Sequence, residues 1–184
     1  MRHCTVASLF TLLLVPALAA ASGPGAGMAS DAILAHGPTQ GVPAFAGQWT
    51  LLPLKSSQVD LFGTLALDIQ GHGPKVTLEQ MWGRGQYAFN TAMTLTTDGT
   101  VNEVPVTDRV WPTEPFMGVS MKVGTKQRVT ATWSDDGRTL VVVRHYTVLV
   151  SQGTREVTST DTYRLGASDD QLTLDITRPT RLGG

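Results

Sequence analysis

Hydrophobic and polar residues alternate along most of the chain beyond residue 46, which predicts β-strands with one buried face. The alternation is clearest from Leu140 to Leu165, where it predicts the two strands of a single hairpin. With Val150 facing Arg155 across a Ser151–Thr154 loop, one face of this hairpin is mostly apolar and the other is rich in threonine. This division is typical of an antiparallel sheet that is buried on one side.

Two charged residues interrupt the apolar face of this hairpin. The predicted register places Arg144 opposite Asp161, with Val129 and Ile176 on the strands to either side. The pair has two interpretations. It is an ionic site inside a cavity that binds the polar head group of a ligand, or a structural pair that fixes the strand register or lies in water at the end of the sheet. The structural interpretation is favoured, because buried ion pairs more often specify a structure than act on a ligand.

Shorter hairpins are predicted around this one, at turns that are rich in glycine, proline and aspartate. The strongest turn pattern is Asp98-Gly99. The first predicted strand contains Trp49, and the last contains Leu172 and Ile176. The predicted cross-strand pairs are Ile69–Val76, Leu67–Leu78, Gly63–Trp82, Met93–Val104, Thr91–Val106 and Trp133–Leu140.

The tight turns and the lack of an amphipathic helix predict an all-β fold, an up-and-down antiparallel meander of about eight to ten strands. Closure into a barrel hides the edges of such a sheet, so a closed barrel is favoured and a β-sandwich is the alternative. The alternation is lost from Thr107 to Gln127, apart from a short strand at Val119–Val123. This segment is therefore a functional loop or contains elements that the pattern does not reveal.

The first residues have the layout of a secretory signal peptide. Polar Arg2 and His3 precede an apolar run from Val6 to Leu18, and small residues follow. We therefore predict a signal peptide at residues 1–21, with an uncleaved N-terminal anchor as the alternative. A flexible lead-in at residues 22–44 and a single β-barrel domain at residues 45–180 follow it. The protein is predicted to be exported, either to the periplasm or into the medium.

Composition narrows the classes of function. The single cysteine, Cys4, lies in the predicted signal peptide, so the mature chain is expected to have no disulfide, no cysteine-ligated zinc and no catalytic cysteine. The formal net charge of -1 provides no basic field for nucleic acid or an anionic membrane surface. No second long apolar run follows, so no membrane span is predicted in the mature chain.

No arrangement of residues argues for catalysis or for a metal. His36, His72 and His145 fall in the lead-in, in a turn and on the polar face of a strand, so they do not converge as zinc ligands. Serine, histidine and aspartate occur without a spacing that supplies a nucleophile, a base and an orienting group. We therefore predict that the protein is not an enzyme and has neither cofactor nor metal.

Aromatic side chains are the remaining candidates for a ligand site. Core packing is the alternative role for those in strands, whereas Trp111 and Phe116 lie in the irregular segment, where a lid or contact loop is expected. The candidate ligand-binding residues are Trp49, Trp82, Tyr87, Trp111, Phe116, Arg144, Tyr146 and Asp161.

The opening Gly47-Gln48-Trp49-Thr50-Leu51, followed by Lys55-Ser56, resembles the start of exported bacterial lipocalin-like (calycin-like) domains of unknown function. The run from Trp133 to Leu140 is similar to their W-x-x-D-G-K-T-L hairpin. The resemblance implies a lipocalin-like barrel that binds a small apolar or amphipathic ligand, with Arg178 packed on the Trp49 indole. The alternative is a structural or protein-interaction β domain of the cell envelope without a small-molecule ligand, whose protein partner the residues do not identify.

Overall fold

The computed structural model describes residues 2–6, 42–56, 64–83, 88–107 and 120–177, with side chains from residue 44 onward. It confirms the all-β prediction, because the described strands form one 11-stranded sheet that is mostly antiparallel. The only helical elements in these ranges are the short helix α1 (Val42–Phe45) and a 3-10 turn at Pro53–Lys55. The strands are β1 (Arg2–Val6), β2 (Gly47–Leu51), β3 (Thr64–His72), β4 (Lys75–Gly83), β5 (Phe89–Thr96), β6 (Asn102–Pro105), β7 (Ser120–Met121), β8 (Lys126–Trp133), β9 (Thr139–Val150), β10 (Gly153–Leu165) and β11 (Gln171–Thr177).

The order of strands across the sheet is β5-β4-β3-β2-β1-β11-β10-β9-β8-β6, and β7 pairs with β9 outside this path. Strands β5 and β6 follow each other in the chain but stand at the two ends of the sheet. No backbone ladder between them is found in the described residues. The gap between β5 and the strands β6, β7 and β8 is called the seam below.

Strand β1 falls within the predicted signal peptide. It runs parallel to β2 on one side and to β11 on the other, with Cys4 beside Leu51 and Leu172. Most of the predicted signal peptide and lead-in, residues 7–41, lies outside the described residues. Cleavage of the leader stays a prediction, and it would remove the strand that joins β2 to β11.

The long hairpin is formed by β9 and β10, but its predicted register was wrong by two residues. Val150 faces Gly153 rather than Arg155, so the loop is Ser151-Gln152 alone. Gly153 has a φ of 119°, a backbone angle that glycine adopts readily, and this permits the shorter turn. A shift of two residues leaves every side chain on its predicted face. Tyr163, rather than Leu165, therefore lies opposite Leu140.

The hairpin of β3 and β4 shows the same correction. Ile69 faces Leu78 instead of Val76, and Leu65, rather than Gly63, faces Trp82. The strands extend to His72 and Lys75, because Gly73 takes a φ of 61° and closes a two-residue turn with Pro74. Gly63 itself lies outside the described residues.

The predicted ladder between β5 and β6, with its Met93–Val104 and Thr91–Val106 pairs, was wrong. Val104 faces Gln127, because β6 pairs with β8. The Asp98-Gly99 turn is closed locally by Asp98, whose Oδ1 accepts hydrogen bonds from the Thr100 amide and hydroxyl at 2.9 and 2.6 Å. The turn also contacts β8, since the Gly99 amide donates to the Ala131 carbonyl at 3.0 Å.

The interior of the sheet contains two groups of buried apolar residues. The larger includes Trp49, Trp82 and Tyr163, all of which have almost no exposed surface. Their polar atoms are bonded: Trp49 Nε1 donates to the Phe45 carbonyl at 2.9 Å, and Gln80 Nε2 donates to the Tyr163 hydroxyl at 2.7 Å. The smaller group consists of Val106, Met121, Tyr146, Val148 and Val157.

Candidate binding site at the sheet seam

A layer of buried polar side chains separates the two apolar groups. Arg144 lies between Val142 and Tyr146 on β9, and Asp161 lies between Ser159 and Tyr163 on β10. Gln127 on β8 completes the layer. All of them point inward, because each shares the parity of the apolar residues on its own strand.

Arg144 and Asp161 contact each other across the hairpin, as predicted. The corrected register places Ser159 directly opposite Arg144, so Asp161 is its diagonal neighbour. A long side chain reaches this diagonal position, and the Arg144 Nη1 to Asp161 Oδ2 distance is 3.3 Å. The predicted neighbours are also confirmed, since Val129 pairs with Arg144 and Ile176 with Asp161.

Two further contacts hold the Arg144 guanidinium in place. Its Nε donates to Gln127 Oε1 at 3.0 Å, and the carbon of the guanidinium lies 5.5 Å from the centre of the Tyr146 ring. With Nη1 on Asp161, two of the three guanidinium nitrogens have partners. No hydrogen bond of Nη2 is found in the described part of the chain. Arg144 therefore keeps donor groups for a further acceptor.

Asp161 is the least satisfied member of the layer. Its Oδ1 has no hydrogen-bond donor among the described residues, although the side chain is only 2 % exposed. Burial raises the pKa of Asp161 above its ordinary value of 3.8, and the charge and hydrogen bond of Arg144 oppose this rise. A distance of 3.3 Å exceeds the roughly 2.8 Å of a strong charge-assisted hydrogen bond. Arg144 therefore offsets the burial of this carboxylate only in part.

Arg144 also forms part of the wall of a cleft at the seam. The cleft has a volume of about 30 Å³, enough for one or two groups of the size of water. The cleft lies where β5 and β6 do not pair. Its walls contain residues of the buried polar layer as well as apolar side chains. We call it the seam cleft; the residues used below are Thr91, Met93, Val106, Met121, Gln127 and Arg144.

The predicted site residues do not form a single site. Trp49 and Trp82 are buried in the larger apolar group, where they have the packing role, and neither lines the seam cleft. Arg144, Tyr146 and Asp161 lie together in or beside the polar layer. Tyr87, Trp111 and Phe116, and also Arg178, lie outside the described residues.

The sequence analysis missed Gln127 and the two methionines of the cleft. Gln127 was assigned to the irregular segment, but β8 begins at Lys126, and Gln127 shares the parity of Val129 and Ala131. Extending the alternation of this strand back by two residues would have identified it as an inward-facing polar residue. Met93 was placed on an inward face, but the wrong ladder between β5 and β6 paired it with Val104 and concealed the cleft. No local pattern brings Met121 to the seam, because that contact depends on β7 joining β9.

Comparisons with protein-family models, with curated proteins and with solved structures find no match to this chain. The resemblance to lipocalin-like domains therefore rests on the quoted residues alone. The described segments include no helix of the length and apolarity that a membrane crossing requires. They also contain no group of three or more histidine, cysteine, aspartate or glutamate side chains placed to hold a metal ion.

Proposed function

We propose that this chain is an exported, lipocalin-like binding module that takes the polar end of a small amphipathic ligand into the seam cleft. One observation carries the proposal: a nearly buried arginine, with an unused nitrogen, lines a cleft whose other walls include methionine and valine. Binding sites combine apolar walls with a few fixed polar groups in this way. The cleft accommodates a head group, and the apolar part of the ligand lies toward Met93, Val106 and Met121.

The same proposal includes closure of the sheet into a barrel at the seam. Its support is the side chain of Asn102, which takes the place of a backbone ladder between β5 and β6. Asn102 Oδ1 accepts from the Thr96 amide at 2.8 Å, and Nδ2 reaches the Thr96 and Val129 carbonyls at 3.2 Å. The seam is thus joined at the end near the Asp98-Gly99 turn and open at the end of the cleft.

Blocking the cleft tests this function. Thr91 lines the cleft and is partly buried, so Thr91→Trp fills it from the β5 side. Thr94→Trp is the matched control, because Thr94 lies on the exposed face of the same strand. Native mass spectrometry of protein purified from its own envelope is expected to retain a ligand in the wild type and in Thr94→Trp, and to lose it in Thr91→Trp.

Titrations with short-chain aliphatic acids, amides and alcohols supply the second measurement. Binding of at least one class to the wild type, with loss in Thr91→Trp, supports the proposal. The absence of a retained ligand, together with no binding of any class, overturns it.

The second candidate is a structural or protein-interaction domain of the envelope without a small-molecule ligand. The observation that favours it is the filled interior, where large side chains such as Trp49, Trp82 and Tyr163 are packed with almost no exposed surface. Cross-linking in intact cells tests this candidate. Capture of one specific partner by both wild type and Thr91→Trp favours it over the binding module.

A further inference from the structure

Arg144 and Asp161 form a counterion pair that is incomplete on both sides. Arg144 has an unused nitrogen at the seam cleft, and Asp161 has an oxygen without a donor in the described residues. Both side chains are more than nine-tenths buried. A buried charge needs a partner, and the planar guanidinium binds a planar carboxylate through two parallel hydrogen bonds. An entering carboxylate would therefore compete with Asp161 for Arg144.

We infer that the seam cleft binds the carboxylate of a small organic acid at Arg144, and that one proton is taken up by Asp161 as the acid binds. This inference rests on the proposed function and adds the chemical class of the ligand. The ligand replaces Asp161 as the counterion of Arg144. The proton comes from solvent and forms an O–H bond on the Asp161 carboxylate. The negative charge of the ligand and the positive charge of the proton therefore enter the buried polar layer together.

The proton uptake follows from the cost of burying charge. Without it, one guanidinium would face two carboxylates in a layer closed by apolar residues on both sides, and an unpaired buried carboxylate is strongly disfavoured. Asp161 is the group that accepts the proton, since its own burial already favours the neutral acid and Arg144 is the group that opposes this. The neutral acid needs no counterion, so Arg144 is released to the ligand.

No other charged group in the described residues competes for this role. Strand β8 contributes the neutral Gln127, and β11 contributes only apolar side chains to the interior. On β4 and β5 the inward groups are likewise uncharged. Besides Asp161, the buried titratable or charged side chains on β9 and β10 are Arg144, Tyr146 and Tyr163. Arg155 shares this face near the turn, but its side chain is exposed.

Isothermal titration calorimetry with hexanoate tests the inference, with hexanamide and hexanol as uncharged probes. Between about pH 6 and pH 8 the probe acid is ionised, so a change in affinity reports on the protein. The dissociation constant for hexanoate is expected to rise as the pH rises, by up to about tenfold per pH unit for one coupled proton. Titrations in two buffers with different ionisation enthalpies count the proton.

Asp161→Asn is the decisive variant, because asparagine has the shape of the protonated acid and does not titrate. It is expected to bind hexanoate at least as tightly as the wild type at low pH, with no dependence on pH. Asp175→Asn is the control, since Asp175 pairs with Arg164 on the outer face and should leave the pH dependence unchanged. The double variant Arg144→Gln/Asp161→Asn, which leaves no buried charge, should fold and lose hexanoate binding.

The outcomes separate this inference from the proposed function. Equal binding of hexanamide or hexanol, lost in Thr91→Trp, supports a ligand cleft but overturns the carboxylate site. Hexanoate binding that is independent of pH in the wild type, or that persists in the double variant, overturns the exchange at Arg144. Absence of binding by all the probes, with no ligand retained from the envelope, overturns both.

Discussion

Arg144 is oriented by two hydrogen bonds, so the proposed ligand would meet a donor that is already in place. Nε is held by Gln127 and Nη1 by Asp161, so the plane of the guanidinium is fixed and the remaining nitrogen has a defined direction. A pre-oriented donor saves the conformational entropy that a free arginine loses on binding. Gln127 would therefore position Arg144 for the proposed ligand, and its amide is buried beside the charge of Arg144, where a hydrogen bond is stronger than in water.

Removal of the Asp161 carboxylate should destabilise the protein strongly. Asp161→Ala leaves Arg144 buried without its counterion, and the expected loss in unfolding free energy is about 3 kcal/mol or more. Urea denaturation at neutral pH measures the loss, with Asp175→Ala on the outer face as the control. A denaturation midpoint that is unchanged in Asp161→Ala would show that the two side chains do not meet in a dry interior.

The dependence of stability on pH gives a second test of the same residue. The folded pKa of Asp161 lies above 3.8, so the folded protein keeps this proton to a higher pH than the unfolded chain. Its contribution to stability is therefore complete below pH 3.8 and is lost as the pH rises through the folded pKa. The unfolding free energy of the wild type, relative to that of Asp161→Asn, should fall over this range.

Urea denaturation of the wild type and of Asp161→Asn, from pH 3.8 upward, measures the difference between their unfolding free energies. The comparison with Asp161→Asn is needed because the pKa values of Asp98, Glu103 and Asp136 are lowered by hydrogen bonds, which gives the opposite trend. Those groups are shared by both proteins and cancel in the difference. If the unfolding free energy of the wild type, relative to that of Asp161→Asn, instead rises with pH, the attraction of Arg144 for the Asp161 carboxylate outweighs the effect of burial on its pKa.

At the scale of elements, the faces of the strands are predictable from sequence but the registers are not. Alternation fixes which side chains point inward, so the inward direction of Leu140, Arg144 and Asp161 was predicted, whereas the burial of the charged pair was left open. Register depends on the length of a turn, and the glycines at positions 73 and 153 allow turns that are two residues shorter than the pattern suggests. The partner of β6 depends on distant parts of the chain, and so it was assigned wrongly.

Asn102 should carry much of the connection between β5 and β6. Its Oδ1 accepts from the Thr96 amide, and its Nδ2, which has two hydrogens, lies within hydrogen-bond distance of the carbonyls of Thr96, Thr100 and Val129. Asn102→Ala is expected to lower the unfolding free energy by about 2 kcal/mol, because several partly buried backbone groups lose their partner. Hydrogen exchange at the Thr96 amide should accelerate in the same variant.

Asn90→Ala is the matched control for this change. Asn90 lies on β5, one of the two strands that Asn102 joins; its side chain is exposed and has no hydrogen bond in the described residues. It should alter stability by less than about 0.5 kcal/mol. Equal losses in the two variants would mean that Asn102 does not join β5 to its neighbours.

At the scale of the molecule, the number of strands constrains how β2 and β11, the first and last strands of the predicted mature chain, can meet. Setting aside β1, which lies in the predicted leader, and β7, which stands off the sheet path, leaves nine strands of the eleven. A meander with an odd number of strands brings its first and last strands together in parallel. Strands β2 and β11 are indeed both parallel to β1. The alternation of residues within a single strand does not tell whether the number of strands is odd or even.

A chain that begins at residue 22 should still fold, with β2 and β11 paired directly in parallel. Hydrogen exchange measures this pairing: the amides of Gly47–Leu51 and Gln171–Thr177 are expected to remain protected, although less than in the full chain, because a parallel pair is slightly weaker per residue. Fast exchange in both strands, with association that grows with concentration, would instead indicate two open edges. The chain that retains Arg2–Val6 is the control.

The two-residue turn at Ser151-Gln152 also bears on how this chain can change in length. Because side chains repeat their direction every second position, a hairpin can gain or lose two loop residues while its interior stays the same. A single inserted residue would turn the side chains of one strand to the other face unless a bulge absorbed it, and here that change would carry either Arg144 or Asp161 into solvent. Descendants of this sequence are therefore expected to differ in hairpin length by even numbers.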